Sequence, residues 1–278
     1  MPLRQRLKIH SIAGLLMLTF SLNLLAQDAQ ANVCQQPPTH AELARIGDLI
    51  YRNECNRQRQ CLVDWNLGES FPSLGIGHFI WYPANLDQGY TESFPLLIQH
   101  LRRSKTPLPE WLEQLQPFDA PWPDRNEFIR SANSSNIETL RQFLEQHTAE
   151  QTEFMMQRFQ LALPQLVEHT APPQQPTLLQ KLDALCSTPR GWYGLIDYVN
   201  FKGEGLAAGE TYQGQGWGLL QVLQNMDDSP SPNDAFAQSA ANILTRRAEL
   251  APKPIEKQQW LPGWLKRVHS YRGQAMLD

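Results

Sequence analysis

Apolar and polar positions alternate along this chain in distinct periods. A nearly unbroken apolar stretch runs from Ile12 to Ala26 and follows the basic residues Arg4, Arg6 and Lys8. Past it, Leu43, Ile46, Leu49 and Ile50 recur at helical spacing behind Thr39 and Glu42. A threonine followed three positions later by glutamate is a capping box, so a helix is predicted to begin at Thr39 and run toward Glu54. The period is then lost. Cys55 to Cys61 is a polar loop, and Trp65 to Pro83 mixes aromatics with Gly68, Gly75 and Gly77, a composition that predicts short strands joined by tight turns.

From Glu92 to about Leu185 the helical period returns, broken by prolines between Pro107 and Pro123 and again at Pro172, Pro173 and Pro176. Ile137 to Leu163 reads as one long helix with Leu140, Phe143, Leu144, Phe154 and Phe159 on its apolar face. Further helices are expected over Trp192–Phe201, Trp217–Met226 and Ala235–Leu250, with Ser229-Pro230-Ser231-Pro232 linking the last two. The predicted class is α+β, mainly α, with a small β-hairpin element and a helical lobe.

The N-terminal pattern changes what the rest means. A basic start, a short apolar run interrupted by Ser21 and Asn23, and Ala29-Gln30-Ala31 together read as a cleavable export signal over residues 1–31. The run is too short for a convincing membrane span. The remaining 32–278 is expected to form one domain, monomeric and periplasmic or secreted, with no stable membrane insertion. Loss of Arg4, Arg6, Lys8 and Asp28 leaves 21 Lys+Arg against 27 Asp+Glu, a net charge of −6 that argues against nucleic acid as a partner. All four cysteines, Cys34, Cys55, Cys61 and Cys186, follow the signal. An even number in an exported chain favours disulfides over metal ligation. Of the three possible pairings, Cys55–Cys61 with Cys34–Cys186 is favoured, since one closes a local loop and the other ties the N-terminal arm to the core. No zinc-ligand spacing occurs, and no metal or other cofactor is expected.

Taken alone, Glu54 is a glutamate at a helix C-terminus. Its neighbourhood gives it direction. Ser73-Leu74-Gly75-Ile76-Gly77-His78 resembles the T-I-G-x-G-H hairpin of bacteriophage-type lysozymes, whose first helix ends on a glutamate. Gly194 to Gly203 is similar to that family's buried A-L-[IV]-x-x-x-F-x-x-G helix, Leu219 to Gln224 to the helix after it, and Leu244 to Glu249 to its late R-R-x-E segment. The resemblance covers residues 39–83 and 190–252, and the stretch 84–189 reads as an enlarged helical insertion.

That resemblance implies a lysozyme-like fold and a peptidoglycan glycosidase that cleaves β-1,4 bonds between N-acetylmuramic acid and N-acetylglucosamine. Glu54 would be the general acid, its pKa raised at a partly desolvated cleft edge. The family's second carboxylate has no counterpart, because Leu67 stands there. Glu69 is the preferred substitute, Asp64 the reserve, and Ser73 supplies the hydroxyl that helps to hold a water. Gly75, Ile76 and Gly77 are expected to floor an open groove whose far wall is the helix from Gly194, with His78 supporting the hairpin and Trp65 stacking on sugar. Arg246 and Arg247 are expected to pair with acids or to pack as in that family, and neither is assigned a catalytic role. Glu204, 14 positions before Gly218-Leu219-Leu220-Gln221, offers a rival acid, since the spacing resembles that of lytic transglycosylases. A lysozyme-fold protein that binds cell wall but has lost efficient catalysis is the remaining alternative, prompted by the shifted second carboxylate.

Overall fold

The structure is a computed structural model that describes residues 33–86, 91–207 and 209–273. The segment read as an export signal lies outside them. The chain is mainly helical with a small antiparallel sheet, as its periodicity predicts.

The first helix, α1 (His40–Cys55), starts at the expected capping box. Thr39 Oγ1 accepts from the Glu42 amide, and the Glu42 carboxylate accepts from the Thr39 amide at 2.7 Å. Leu43, Ile46, Leu49 and Ile50 are buried, so the apolar stripe faces the core. Asn56 ends the helix in a left-handed conformation, φ 48°. A 3₁₀ turn, Arg59–Leu62, leads to β1 (Val63–Asp64), β2 (Ser73–Leu74) and β3 (Phe79–Ile80), which pair antiparallel in that order. Ser73 lies opposite Asp64 on one side and Ile80 on the other.

The stretch 84–189 contributes α2 (Phe94–Arg103), the short α3 (Glu110–Glu113) and α4 (Arg125–Arg130), α5 (Ser135–Gln146), α6 (Thr148–Glu168) and α7 (Gln175–Cys186). It is no peripheral addition. The α1–α6 packing is the most extensive helix pair among the described residues. Gly47 allows that approach, since a Cβ there would lie 2.5 Å from Thr152 Oγ1 and 2.9 Å from the Thr148 carbonyl oxygen.

Residues 137–163 form two helices where one was expected. The break falls at His147 (φ −116°, ψ 40°). One side chain supplies what the interrupted ladder leaves open: Gln151 Nε2 donates to the Leu144 carbonyl at 2.6 Å, and at 3.0 Å to the His147 carbonyl that its own amide already reaches at 3.1 Å. After α7 come α8 (Pro189–Lys202), a two-stranded ribbon of β4 (Thr211–Tyr212) and β5 (Gln215–Gly216), α9 (Leu219–Gln224) and α10 (Pro232–Leu250). A π-helical turn, Glu256–Trp260, then runs into α11 (Leu261–His269), two elements the sequence reading did not anticipate.

Helix α8 is a core element and not a groove wall. Its Trp192, Tyr193, Leu195, Ile196, Tyr198 and Val199 are all at most 1 % exposed. Gly194 meets the Phe236 and Tyr271 rings where a side chain would otherwise stand. Both disulfides take the favoured pairing, Cys34–Cys186 and Cys55–Cys61. Disulfides persist in oxidising compartments, which fits an exported chain. No helix among the described residues is long and apolar enough to cross a membrane.

Candidate functional site

Glu54 sits on the last turn of α1, one residue before the cysteine whose disulfide to Cys61 folds the following loop back on the helix. The hairpin turn Gly75–His78 is pinned from behind. Gln151 Oε1 accepts from the Ile76 amide at 3.0 Å, and at Gly75 (φ +68°) a Cβ would lie 2.2 Å from that same oxygen, so glycine is required on two counts. The turn brings His78 to Glu54, with Nδ1 3.8 Å from Oε2, and His78 Nε2 lies 3.7 Å from Cys61 Sγ. Helix end, hairpin and disulfide loop therefore meet at one point.

The strongest contact to Glu54 comes from the far end of the chain. Arg267 of α11 reaches it at 2.5 Å. The same guanidinium forms a two-pronged ion pair with Asp197 of α8, at 2.8 and 2.7 Å, and the Tyr271 hydroxyl donates to Asp197 at 2.5 Å. Asp197 is wholly buried and lies between Ile196 and Tyr198 on an apolar helix, so its charge needs a cation beside it. Arg267 meets that need and spends its remaining reach on Glu54. Next door, Asn53 donates to the Tyr193 hydroxyl at 2.6 Å, which bonds Ser270. The site thus rests on α1, α8 and α11 together.

This network sets the charge of Glu54. Burial pushes its pKa up, but the nearby charges of Arg267, His78 and Lys202 outweigh burial and hold it below the usual glutamate range. The expected raised acid is therefore an ionised carboxylate in the free protein. Burial opposes the Arg267 charge, but Asp197 and Glu54 prevail and keep it protonated. Lys202, at the end of α8, goes the other way. Burial first, then repulsion from Arg247 and Arg267, pulls it down to about 6, and Glu256 and Glu54 offset only part of this.

The other expected site residues are placed unevenly. Ser73 is 6 % exposed on the central strand β2. Asp64 is exposed on β1. The Glu69 carboxylate accepts from Asn66 of its own loop at 3.1 Å, and its carbonyl accepts from Trp65 Nε1 at 2.8 Å. Trp65 is 2 % exposed and packs on Phe128, so it is a core residue and not a sugar platform. Gly75 and Ile76 are buried under Gln151, which leaves Gly77 and His78 as the partly exposed residues of the turn and corrects the expected groove floor. Leu67, where the resemblance would place an acid, is 87 % exposed.

Glu204 follows α8 and is ion-paired to Arg158 of α6 at 2.8 Å. Its neighbour Glu210 is pushed upward, first by burial and then by the Glu204 charge. Arg247 pairs with Glu256 at 2.9 Å, in keeping with the expectation that it meets an acid, and Tyr212 donates to the other Glu256 oxygen at 2.6 Å. Two small cavities, of about 110 Å³ between α7 and α9 and about 180 Å³ between α7 and the segment 226–232, are lined by neither Glu54 nor the hairpin.

Asp197, Lys202, Glu256 and Arg267 escaped the sequence reading. For Asp197 a signal was present: an acid inside an otherwise apolar helix implies a buried cation. Nothing local to residue 267 points to Glu54.

No protein-family model, no curated protein and no solved structure matches this chain.

Proposed function

We propose that this chain is an exported peptidoglycan glycosidase of lysozyme type, acting on the β-1,4 bond between N-acetylmuramic acid and N-acetylglucosamine with Glu54 as the essential carboxyl. One observation carries the reading: a glutamate at the end of the first helix faces the histidine of a glycine hairpin and is held there by a buried Arg267–Asp197 pair. Export and disulfides agree with a substrate outside the cytoplasm.

The free-state ionisation of Glu54 constrains how it works. To protonate a glycosidic oxygen it must gain a proton once glycan covers it. Excluding water strengthens both the burial effect and the pull of Arg267, so the acid form is reached only where the added burial outweighs that ion pair. Glu69 and Asp64 are the carboxylates available to activate water, with Ser73 on the strand between them and the hairpin. A lysozyme-fold binding protein without efficient catalysis is the second reading. It is favoured by the ionised state of Glu54 and by the turn-bound carboxylate of Glu69.

Incubation of the mature protein with purified sacculi separates these outcomes. The glycosidase reading predicts free reducing ends. Anhydro-muramyl ends would instead assign a transglycosylase, and glycan retained without cleavage would assign the binding protein.

A further inference from the structure

The Cys55–Cys61 disulfide closes a polar loop at the end of α1, and a third metal-ligand type stands beside it. Cys55 Sγ, Cys61 Sγ and a ring nitrogen of His78 all lie within 4.8 Å of one another. Spacing along the chain conceals this trio. The cysteines are six positions apart and the histidine follows the second by 17, which matches no usual zinc pattern. Only the hairpin turn carries His78 back over the loop.

Two thiolates and an imidazole suit zinc. In a tetrahedral site zinc lies about 2.3 Å from a thiolate sulfur and about 2.0–2.1 Å from an imidazole nitrogen, which sets sulfur and nitrogen about 3.6 Å apart. His78 Nε2 and Cys61 Sγ already stand at 3.7 Å. The two sulfurs must part to about 3.8 Å on the same geometry. A broken disulfide permits that, and residues 56–60 between them are exposed throughout, free to absorb the shift. The outer partner is in place as well. A histidine that ligates through Nε2 carries its proton on Nδ1 and donates it to a carboxylate or carbonyl, which fixes ring and tautomer. His78 Nδ1 faces the Glu54 carboxylate at 3.8 Å. Three protein ligands leave a fourth position for water, and the His78 side chain is 36 % exposed.

We propose that the dithiol form of this loop is a zinc site, with Cys55, Cys61 and His78 as ligands and Glu54 as the outer partner of His78. A dithiol reductant gives two electrons and two protons to the disulfide and leaves as its own cyclic disulfide. Zn²⁺ then displaces the two thiol protons and binds the thiolates. The oxidised loop has no thiolate to offer, so disulfide and zinc exclude one another, and occupancy follows the thiol redox state around the protein. The site needs no glycan and is independent of the glycosidase reading.

The mature chain, reduced anaerobically with dithiothreitol until Cys55 and Cys61 label as free thiols and then freed of reductant, provides the test. Titrated with Zn²⁺, it should take up one ion per chain and melt at a higher temperature than without the metal. With Co²⁺ as the probe it should show the absorption of tetrahedral thiolate coordination. The oxidised chain should do neither. Reduced His78→Ala should bind zinc at least about tenfold more weakly, since loss of even an outer partner costs about 10–100-fold. Equal binding by the oxidised chain, or an affinity unchanged in His78→Ala, overturns the site. So does a reduced wild type that takes no zinc or stays unfolded in its presence. Cleavage of sacculi by the oxidised chain is a separate readout, so either reading can fail alone.

Discussion

Arg267 ties the candidate site to the stability of the protein. It is 8 % exposed, and its charge answers both Asp197 and Glu54. Replacing it with methionine keeps the volume and leaves two carboxylates uncompensated, which should cost about 3–5 kcal/mol. Denaturant unfolding checks this, and a loss below about 1 kcal/mol would mean that Asp197 finds another partner. Lys202 gives the opposite test. Its folded-state value is about 6 against 10.5 as the ordinary value. Below about 6 the amine is charged in both states, and the full cost of burying that charge is present. As pH rises from there toward 10.5, the unfolded chain holds a proton that the folded chain has shed, so stability increases with pH. The melting temperature of Lys202→Met should exceed that of wild type at pH 6, and the gap should narrow steadily toward pH 9. A constant gap across that range would show that Lys202 does not titrate there. The depressed Glu54 carboxyl acts at the acid end, adding stability above its ordinary value of 4.5 that is lost as pH falls through the folded value.

At the scale of elements, α1 was legible because its signals are local: a capping box at Thr39 and an apolar stripe from Leu43 to Ile50. The hairpin was legible through glycines whose backbone is constrained, above all Gly75. The break at His147 was not, because the apolar stripe continues across it and the stabilising partner, Gln151, bonds both the Leu144 carbonyl and the hairpin. Periodicity reports which residues are buried and is blind to a side chain that replaces one ladder bond with another. The same limit hid the burial of Trp65, Gly75 and Ile76, since exposure of a hairpin depends on what packs behind it. The Cys34–Cys186 disulfide joins residues 152 positions apart, tying the N-terminal arm to the end of α7. Closing so long a loop restricts the unfolded chain strongly, and Cys34→Ser with Cys186→Ser should cost roughly 5 kcal/mol on the chain-entropy estimate. Thermal unfolding of the double variant reads this directly. A drop no greater than that of the paired Cys55→Ser and Cys61→Ser variant, whose loop is far shorter, would contradict it.

Across the whole molecule, the site is assembled from distant parts of the chain: Glu54 from α1, His78 from the hairpin, Asp197 from α8 and Arg267 from α11. Sequence patterns supplied the first two, because they lie close together in a recognisable order. The second pair needed the fold, for only the packing of α11 on α10 brings Arg267 to Asp197 and to the end of α1. The stretch 84–189, read as an insertion, holds the helix on which α1 rests. The central claim is that Glu54 performs the chemistry. Release of reducing ends from purified sacculi by Glu54→Gln and by Glu204→Gln, with melting curves recorded on both proteins, tests it most directly. Glutamine keeps the shape at position 54, and Arg267 keeps Asp197, so the fold should persist while turnover falls by several orders of magnitude. Glu204→Gln should retain most of the activity. A Glu54→Gln protein that cleaves at the wild-type rate, beside an inactive but folded Glu204→Gln, would contradict the account.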